Sequence, residues 1–202
     1  MKSQTQVSVI VPVRNGEQYI GRCIRSLLNQ TLDSDKFEII VINDASTDKT
    51  KSAIKTFLGD LIYLENRKRK GLPGTLNVGI KNARGQYIVR VDSDDWVHPE
   101  YLNIMYIHLT LNQDLDAVSC DYWEVNNRQK VLAVKNCEKN PIGCGIMFKI
   151  KDLIKIGLYD KNFLAREEEE LIIRFKKHSK LTRIPIPLYR YRKHESNLTN
   201  KK

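Results

Sequence analysis

The strongest constraint on the fold is an alternation in the first half of the chain. Val7-Ser8-Val9-Ile10-Val11-Pro12 is an apolar, β-branched run. Such a run reads as a strand covered on both faces. Asn15-Gly16 makes a turn, after which Tyr19, Cys23, Leu27 and Leu28 recur at helical spacing. A second buried strand, 37–44, leads into Ser46-Thr47-Asp48, which can cap a helix with Ala53, Ile54, Phe57 and Leu58 on its apolar face. Residues 61–64 form a third short strand, Gly71 to Gly79 begins a loop and a helix, and 87–91 form a fourth strand.

Strand, helix, strand, helix at this spacing predicts parallel βαβ units, hence an α/β protein with a Rossmann-like, mostly parallel central sheet flanked by helices. Ligands of such sheets bind beyond the carboxyl ends of the strands. Three polar places fall there: Pro12 to Asn15, Asn43-Asp44, and Asp92-Ser93-Asp94-Asp95. Taken alone, the last stretch has two readings. It could be a polar turn before the helix that starts near Pro99, since Asp and Ser are turn and cap formers. It could equally hold a hard divalent cation, because Mg2+ and Mn2+ take oxygen ligands. Convergence of the three places at one sheet edge favours the second reading.

After Pro99 the pattern changes. A helix carries Tyr101, Leu102, Met105, Leu109 and Leu111. Two strands, 117–123 and 130–134, read as a hairpin around Asn126-Asn127. A loop at 141–145 precedes the strand 146–148, and a short helix ends at Gly157. Arg166-Glu167-Glu168-Glu169-Glu170 opens a helix closed by Lys176, Lys177 and His178, acid first and base last as the helix dipole prefers. Pro185 and Pro187 predict that a final strand, 184–191, lies at a sheet edge. The polar tail from Arg192 onward is expected to be mobile.

Several function classes are set aside. There is no Walker A sequence and no glycine fingerprint after the first strand, which argues against P-loop NTPases and NAD enzymes. The formal net charge is +10, but the basic residues are dispersed along the chain. That suits phosphate-bearing small substrates or an anionic membrane surface, and no nucleic acid is expected as a partner. The four cysteines form no CxxC pair and are expected to be reduced. No apolar run can span a bilayer and no signal peptide is apparent, so a cytoplasmic protein is expected, with peripheral association at the inner face of the membrane.

Six segments, in order, resemble the family-2 glycosyltransferases of the GT-A fold. They are Val9-Ile10-Val11-Pro12-Val13-Arg14-Asn15; Ile39 to Asp48 with Asn43-Asp44; Gly71-Leu72 with Asn77-Val78-Gly79-Ile80; Ala83 to Ile88 leading into Asp92-Ser93-Asp94; Arg166 to Leu171; and Tyr191-Arg192-Lys193-His194-Glu195-Ser196. Arg14, Asn43 and Leu76 depart from the family's usual residues. The resemblance implies a single GT-A domain over 1–202, with a nucleotide-binding half (1–95) and a smaller acceptor-side lobe (96–202). It implies an inverting transferase of the hexosyl or N-acetylhexosaminyl type, using a nucleotide-diphosphate sugar, UDP by preference, and Mn2+ or Mg2+. A glycan or lipid-linked acceptor of the cell envelope and a homo-oligomer are implied as partners.

By the same resemblance, Pro12, Arg14, Asn15, Asp44, Asn77, Asp92 and Ser93 bind the nucleotide sugar, with Asp44 accepting from the uracil N3-H. Asp94, Asp92 and His194 hold the metal, and Asp95 orients them. Glu168 is the catalytic base, with Glu167 as its rival. The alternatives are a nucleotide-sugar-binding relative without turnover, and a nucleotidyltransferase.

Overall fold

The computed structural model describes residues 4–163 and 167–194. Four parallel strands form its first half: β1 (Val7–Val13), β2 (Phe37–Asn43), β3 (Ile62–Glu65) and β4 (Tyr87–Arg90). They alternate with α1 (Ile20–Leu28), α2 (Thr50–Lys55) and α3 (Gly71–Asn82). The second half adds β5 (Trp96–Val97), α4 (Tyr101–Leu111), β6 (Ala117–Val125), β7 (Val131–Lys135), β8 (Ile146–Lys149), α5 (Ile150–Lys155), α6 (Glu167–Lys176) and β9 (Leu181–Arg192). All nine strands join one sheet in the order β3-β2-β1-β4-β8-β6-β9-β5, with β7 hydrogen-bonded to β6.

The βαβ units follow the expected alternation. β1 lies between β2 and β4, parallel to both. Beyond β4 the sheet becomes mixed: β8 is antiparallel to β4 and β6, while β9 runs parallel to β6. Side chains on β1 sort by the two-residue period of a strand. Val7, Val9, Val11 and Val13 face α1 and α4 in one core cluster, whereas Ile10 joins Ile40 and Ile42 against α3 in a second. Helices thus cover both faces, which is why these runs are apolar throughout. At Gly79 a Cβ would come within 2.6 Å of Ile10 Cγ2 and 2.8 Å of Ile42 Cδ1, so glycine there sets how closely α3 packs on the sheet.

The C-terminal strand differs from expectation. β9 is not an edge strand: β6 pairs along one side of it and β5 pairs with Tyr189 and Arg190 on the other. Its prolines are accommodated by irregular pairing. Cys120 pairs with Ile184 and the next residue, Asp121, with Pro187, so Pro185 leaves the ladder in a bulge. Arg192, expected in a mobile tail, is the buried last residue of β9. Residues 195–197 of that tail, and Arg166 at the α6 start, lie outside the described residues.

Candidate active site

The ends of β1 and β2 are stitched together through their loops. Pro12 is buried in β1 opposite Ile42. Asn15 has a positive φ of 50°, a conformation asparagine tolerates well. Its Oδ1 accepts from Thr47 N at 2.8 Å, and its own N-H donates to Ser46 Oγ at 2.9 Å. Arg14 is exposed, and its Nη1 donates to the carbonyls of Asp44 and Ala45 at 2.9 and 3.1 Å. Asn43 receives Ser46 N at 3.0 Å and donates to the Tyr63 hydroxyl at 3.1 Å, so the amide here closes the β2 turn.

Asp44 is 4% exposed. Its Oδ1 accepts from Asn66 Nδ2 and Lys70 N, each at 2.8 Å, and its Oδ2 accepts from Gly71 N at 3.0 Å. The carboxylate therefore satisfies the first free amides of α3, where an anion is also favoured by the helix dipole. Asn77, further along α3, is a cross-brace. It donates to Tyr159 O at 2.7 Å and accepts from Tyr159 N at 3.1 Å.

The acidic stretch follows β4. Ser93 abuts the β1 turn, since a Cβ on Gly16 would lie 3.4 Å from Ser93 Oγ. Asp92 is gripped in bidentate fashion by Arg90, with Nε to Oδ1 at 2.6 Å and Nη2 to Oδ2 at 3.1 Å. Asp94 meets His194, whose Nε2 lies 2.8 Å from Oδ2, and the imidazole stacks on Tyr19 with centroids 5.2 Å apart. Burial and then the neighbouring Asp92 push the Asp94 carboxyl above its ordinary range, while His194 pulls it down. Asp95 is 1% exposed and accepts from Tyr189 OH at 2.8 Å and Arg192 N at 2.7 Å. Burial, followed by Asp94 and Asp92, raises its carboxyl far above the usual value.

The start of α6 completes the group. Glu167 is buried, and its Oε1 receives the remaining arm of Arg90, Nη1, at 3.0 Å. Arg90 thereby ties α6 to the acidic stretch. Glu168 is less buried, and among the described residues no cation forms an ion pair with it. Burial, then the Glu167 charge, raises its carboxyl above the ordinary glutamate value. The loop at 141–145 passes close by: a Cβ on Gly143 would come within 2.7 Å of Arg90 Nη1 and 3.0 Å of Glu168 Cβ.

Among the described residues one group of three potential ligands is close enough to consider for a metal, and Asp94 with His194 forms a separate pair. Asp92, Asp95 and Cys144 have ligand atoms within 4.8 Å of one another. Asp95 and Cys144 are deeply buried, Asp95 is already bound by Tyr189 and Arg192, and burial holds the thiol protonated. Asp94 and His194, beside Asp92, offer carboxylate oxygens and one imidazole, donors that suit a hard or borderline divalent ion. Mutual repulsion among the aspartates is what such a cation would relieve.

Sequence reasoning missed Arg90, Tyr189 and Arg192 as the fasteners of this centre. Arg90 had a signal, because an arginine inside an otherwise apolar buried strand needs a carboxylate partner. Tyr189 had none, and Arg192 lay in a family-like segment that gave no pointer to Asp95; their partners lie 94 and 97 residues away.

The glycosyl transferase family 2 model matches residues 8–171. The glycosyltransferase GlyA of Streptococcus pneumoniae is 35% identical over 127 residues, which is 61% of this chain and 18% of that protein. The poly(ribitol-phosphate) beta-glucosyltransferase of Bacillus spizizenii is 36% identical over 112 residues, 54% of this chain and 18% of the relative. The chain thus spans about a fifth of the length of these two. Among solved structures, S. aureus TarS 1-349 in complex with UDP-GlcNAc superposes with a TM-score of 0.87 at 20% identity, over 98% of this chain and 61% of that one. A mannosyltransferase from Pyrobaculum calidifontis in complex with GDP-Man and Mn2+ superposes at 0.76 and 20% identity, over 96% and 59%. These likenesses establish the GT-A fold. Among the described residues no helix is long and apolar enough to cross a membrane.

Proposed function

This chain belongs to glycosyl transferase family 2, and from that premise we propose that it moves a sugar from a nucleoside-diphosphate donor to an acceptor hydroxyl, with inversion at the anomeric carbon. In this reading 1–202 is one GT-A domain, with 1–95 holding the donor nucleotide and 96–202 the acceptor. The observation that carries it is the Arg90 fork, which draws Asp92 and Glu167 together and leaves Glu168 beside them without an ion-pair partner among the described residues.

The nucleotide side rests on Asp44. A carboxylate has about four acceptor directions, and three of Asp44's are filled by α3 and Asn66. The remaining one, at Oδ2, matches the N3-H of uracil and would repel cytosine, whose N3 is itself an acceptor. Arg14 and Asn15 shape the same edge, and Ser93 adjoins it. UDP is therefore the expected carrier, as in the TarS complex. Asp94, Asp92 and His194 would hold Mn2+ or Mg2+. Such an ion supplies positive charge to the leaving diphosphate.

Displacement needs a base for the acceptor hydroxyl. Glu167 is unsuited, because its carboxylate is held by a buried guanidinium. Glu168 accepts the proton, the hydroxyl oxygen forms its bond to the anomeric carbon, and the nucleoside diphosphate leaves with the bonding electrons. Its raised carboxyl brings it nearer the working pH of a base. A glycan or lipid-linked acceptor of the cell envelope is the proposed acceptor class, in keeping with a relative named a poly(ribitol-phosphate) beta-glucosyltransferase.

UDP release from UDP-sugars with Mn2+ tests the proposal. Glu168→Gln is expected to lower kcat by about 10²- to 10⁴-fold while UDP still binds. Full activity in Glu168→Gln would reject the base assignment. Turnover undiminished by EDTA and by Asp94→Ala would reject the metal role, and absence of any UDP-sugar turnover or binding would reject the function.

A further inference from the structure

Between α5 and α6 the chain makes a loop whose backbone is fixed from two sides. Asn77 on α3 brackets Tyr159: its Nδ2 donates to Tyr159 O at 2.7 Å and its Oδ1 accepts from Tyr159 N at 3.1 Å. Arg174 on α6 holds the residues just before, donating from Nη2 to Leu158 O at 2.7 Å and from Nη1 to Ile156 O. Leu158 has a positive φ of 64°. A bulky side chain avoids that conformation, which persists only where the surroundings over-determine it. Here α3 and α6 both do so, and what they fix is the direction of Tyr159.

Tyr159 is 5% exposed, and its ring belongs to the core cluster of Phe148, Leu171 and Phe175. Its hydroxyl faces the Arg90 fork. Burial pushes that hydroxyl up to about 12, the adjacent Arg90 guanidinium draws it down, and Glu167 pushes it up. The phenol is therefore protonated near neutral pH, and its oxygen is an acceptor beside a buried cation. A guanidinium has five N-H donors. Arg90 uses two on Asp92 and one on Glu167. A buried donor without an acceptor is costly, so a further acceptor beside the fork decides how firmly it is held.

We infer that Tyr159 is a positioning residue for sugar transfer: its hydroxyl fixes the Arg90 fork, and Asn77 acts through Tyr159. The inference rests on the transferase reading above, in which Glu168 takes the acceptor's proton. Arg90 aims Glu167, and Glu168 is the next residue of α6, so a fork that swings carries the base with it. A misplacement of about 1 Å can lower a rate by about 10²-fold. Asp44 is held by the start of α3 instead, so nucleotide binding should survive loss of the hydroxyl.

Tyr159→Phe keeps the ring and removes only the hydroxyl. With UDP-sugars and Mn2+, kcat should fall about tenfold or more, while the donor KM and the calorimetric UDP affinity stay at wild-type values. Asn77→Ala, measured below its Tm, should lower kcat likewise at unchanged donor KM. In the double variant the two losses should not multiply, since both act on one fork. The fork is also read without turnover. Hydrogen exchange at the Arg90 Nε-H, followed by heteronuclear NMR and assigned through Arg90→Lys, should quicken about tenfold or more in Tyr159→Phe. A ring that only fills the core would leave both readouts unmoved, because Phe packs as Tyr does. Three results would overturn the inference: unchanged kcat or unchanged Arg90 exchange in Tyr159→Phe; a raised donor KM at unchanged kcat in Asn77→Ala, which would assign Asn77 to the donor; or losses that multiply in the double variant, which would separate Asn77 from Tyr159. Failure of the wild type to bind or turn over UDP-sugars would instead count against the transferase reading, and exchange at Arg90 still decides the role of Tyr159.

Discussion

Asp44 and the Asp92–Asp95 stretch are both carboxylate sites at strand ends of one sheet, yet they are held in opposite ways. Asp44 is satisfied by neutral donors close in sequence: two backbone amides of the α3 start and one side-chain amide, none more than 27 residues away. The second site is held by distant groups, mostly from the C-terminal strand. Tyr189 and Arg192 bind Asp95, His194 meets Asp94, and Glu167 shares Arg90 with Asp92. A site closed by its own βαβ unit is formed once that unit folds. A site closed from 77 to 100 residues away exists only when the second half has docked. The Asp44 site is thus intrinsic to the first half, and the Asp92–Asp95 site is an interface between the halves; in the proposed function these are the nucleotide end and the reactive end.

The contrast can be broken at Arg90. Arg90→Met leaves Glu167 and Asp92 without their cation, and removing one partner of a buried ion pair typically costs about 3–5 kcal/mol. Urea unfolding should show a loss of this size, with transfer abolished. A loss below about 1 kcal/mol would mean that the fork does not join the halves.

A smaller effect is expected from Glu167→Gln, which keeps shape and removes charge. Loss of this buried, charge-assisted bond should cost about 1.5–3 kcal/mol. Its sharper signature is in pH dependence. Glu168 must be ionised to accept a proton, so kcat/KM rises with pH through its pKa. Burial and then the Glu167 charge raise that pKa above 4.5. Removing the charge lowers it, so the acidic limb of the profile should move to lower pH. A limb that stays in place would show that another group titrates there.

The smallest stability effect is expected at Asp44→Asn. The amide keeps part of the hydrogen bonding and forfeits the helix-dipole term, about 0.3–1 kcal/mol. UDP affinity should fall about tenfold by calorimetry while the Tm changes little. A large fall in Tm with unchanged UDP affinity would make Asp44 a helix anchor alone.

Much of this was legible from residue patterns. The apolar runs of β1, β2 and β4 ending in Asn15, Asp44 and Asp92 follow from a period that needs no tertiary information; the GT-A expectation came from the resemblance of six segments to a known family. The β9 edge expectation failed because a bulge, invisible in sequence, removes Pro185 from the ladder. Asn77 matches a family motif, but its amide is engaged by the Tyr159 backbone, a partner 82 residues away.

By itself, the sequence determined that carboxylates would gather at the carboxyl edge of a parallel sheet, because strand and helix periods dictate where polar residues can emerge. Tertiary structure alone decided which of them are held and which remain available. Glu167 and Glu168 are neighbours of the same chemistry, but successive helix positions point about 100° apart. Only the docking of α6 on β4 turns Glu167 into the Arg90 fork and leaves Glu168 beside it without an ion-pair partner among the described residues.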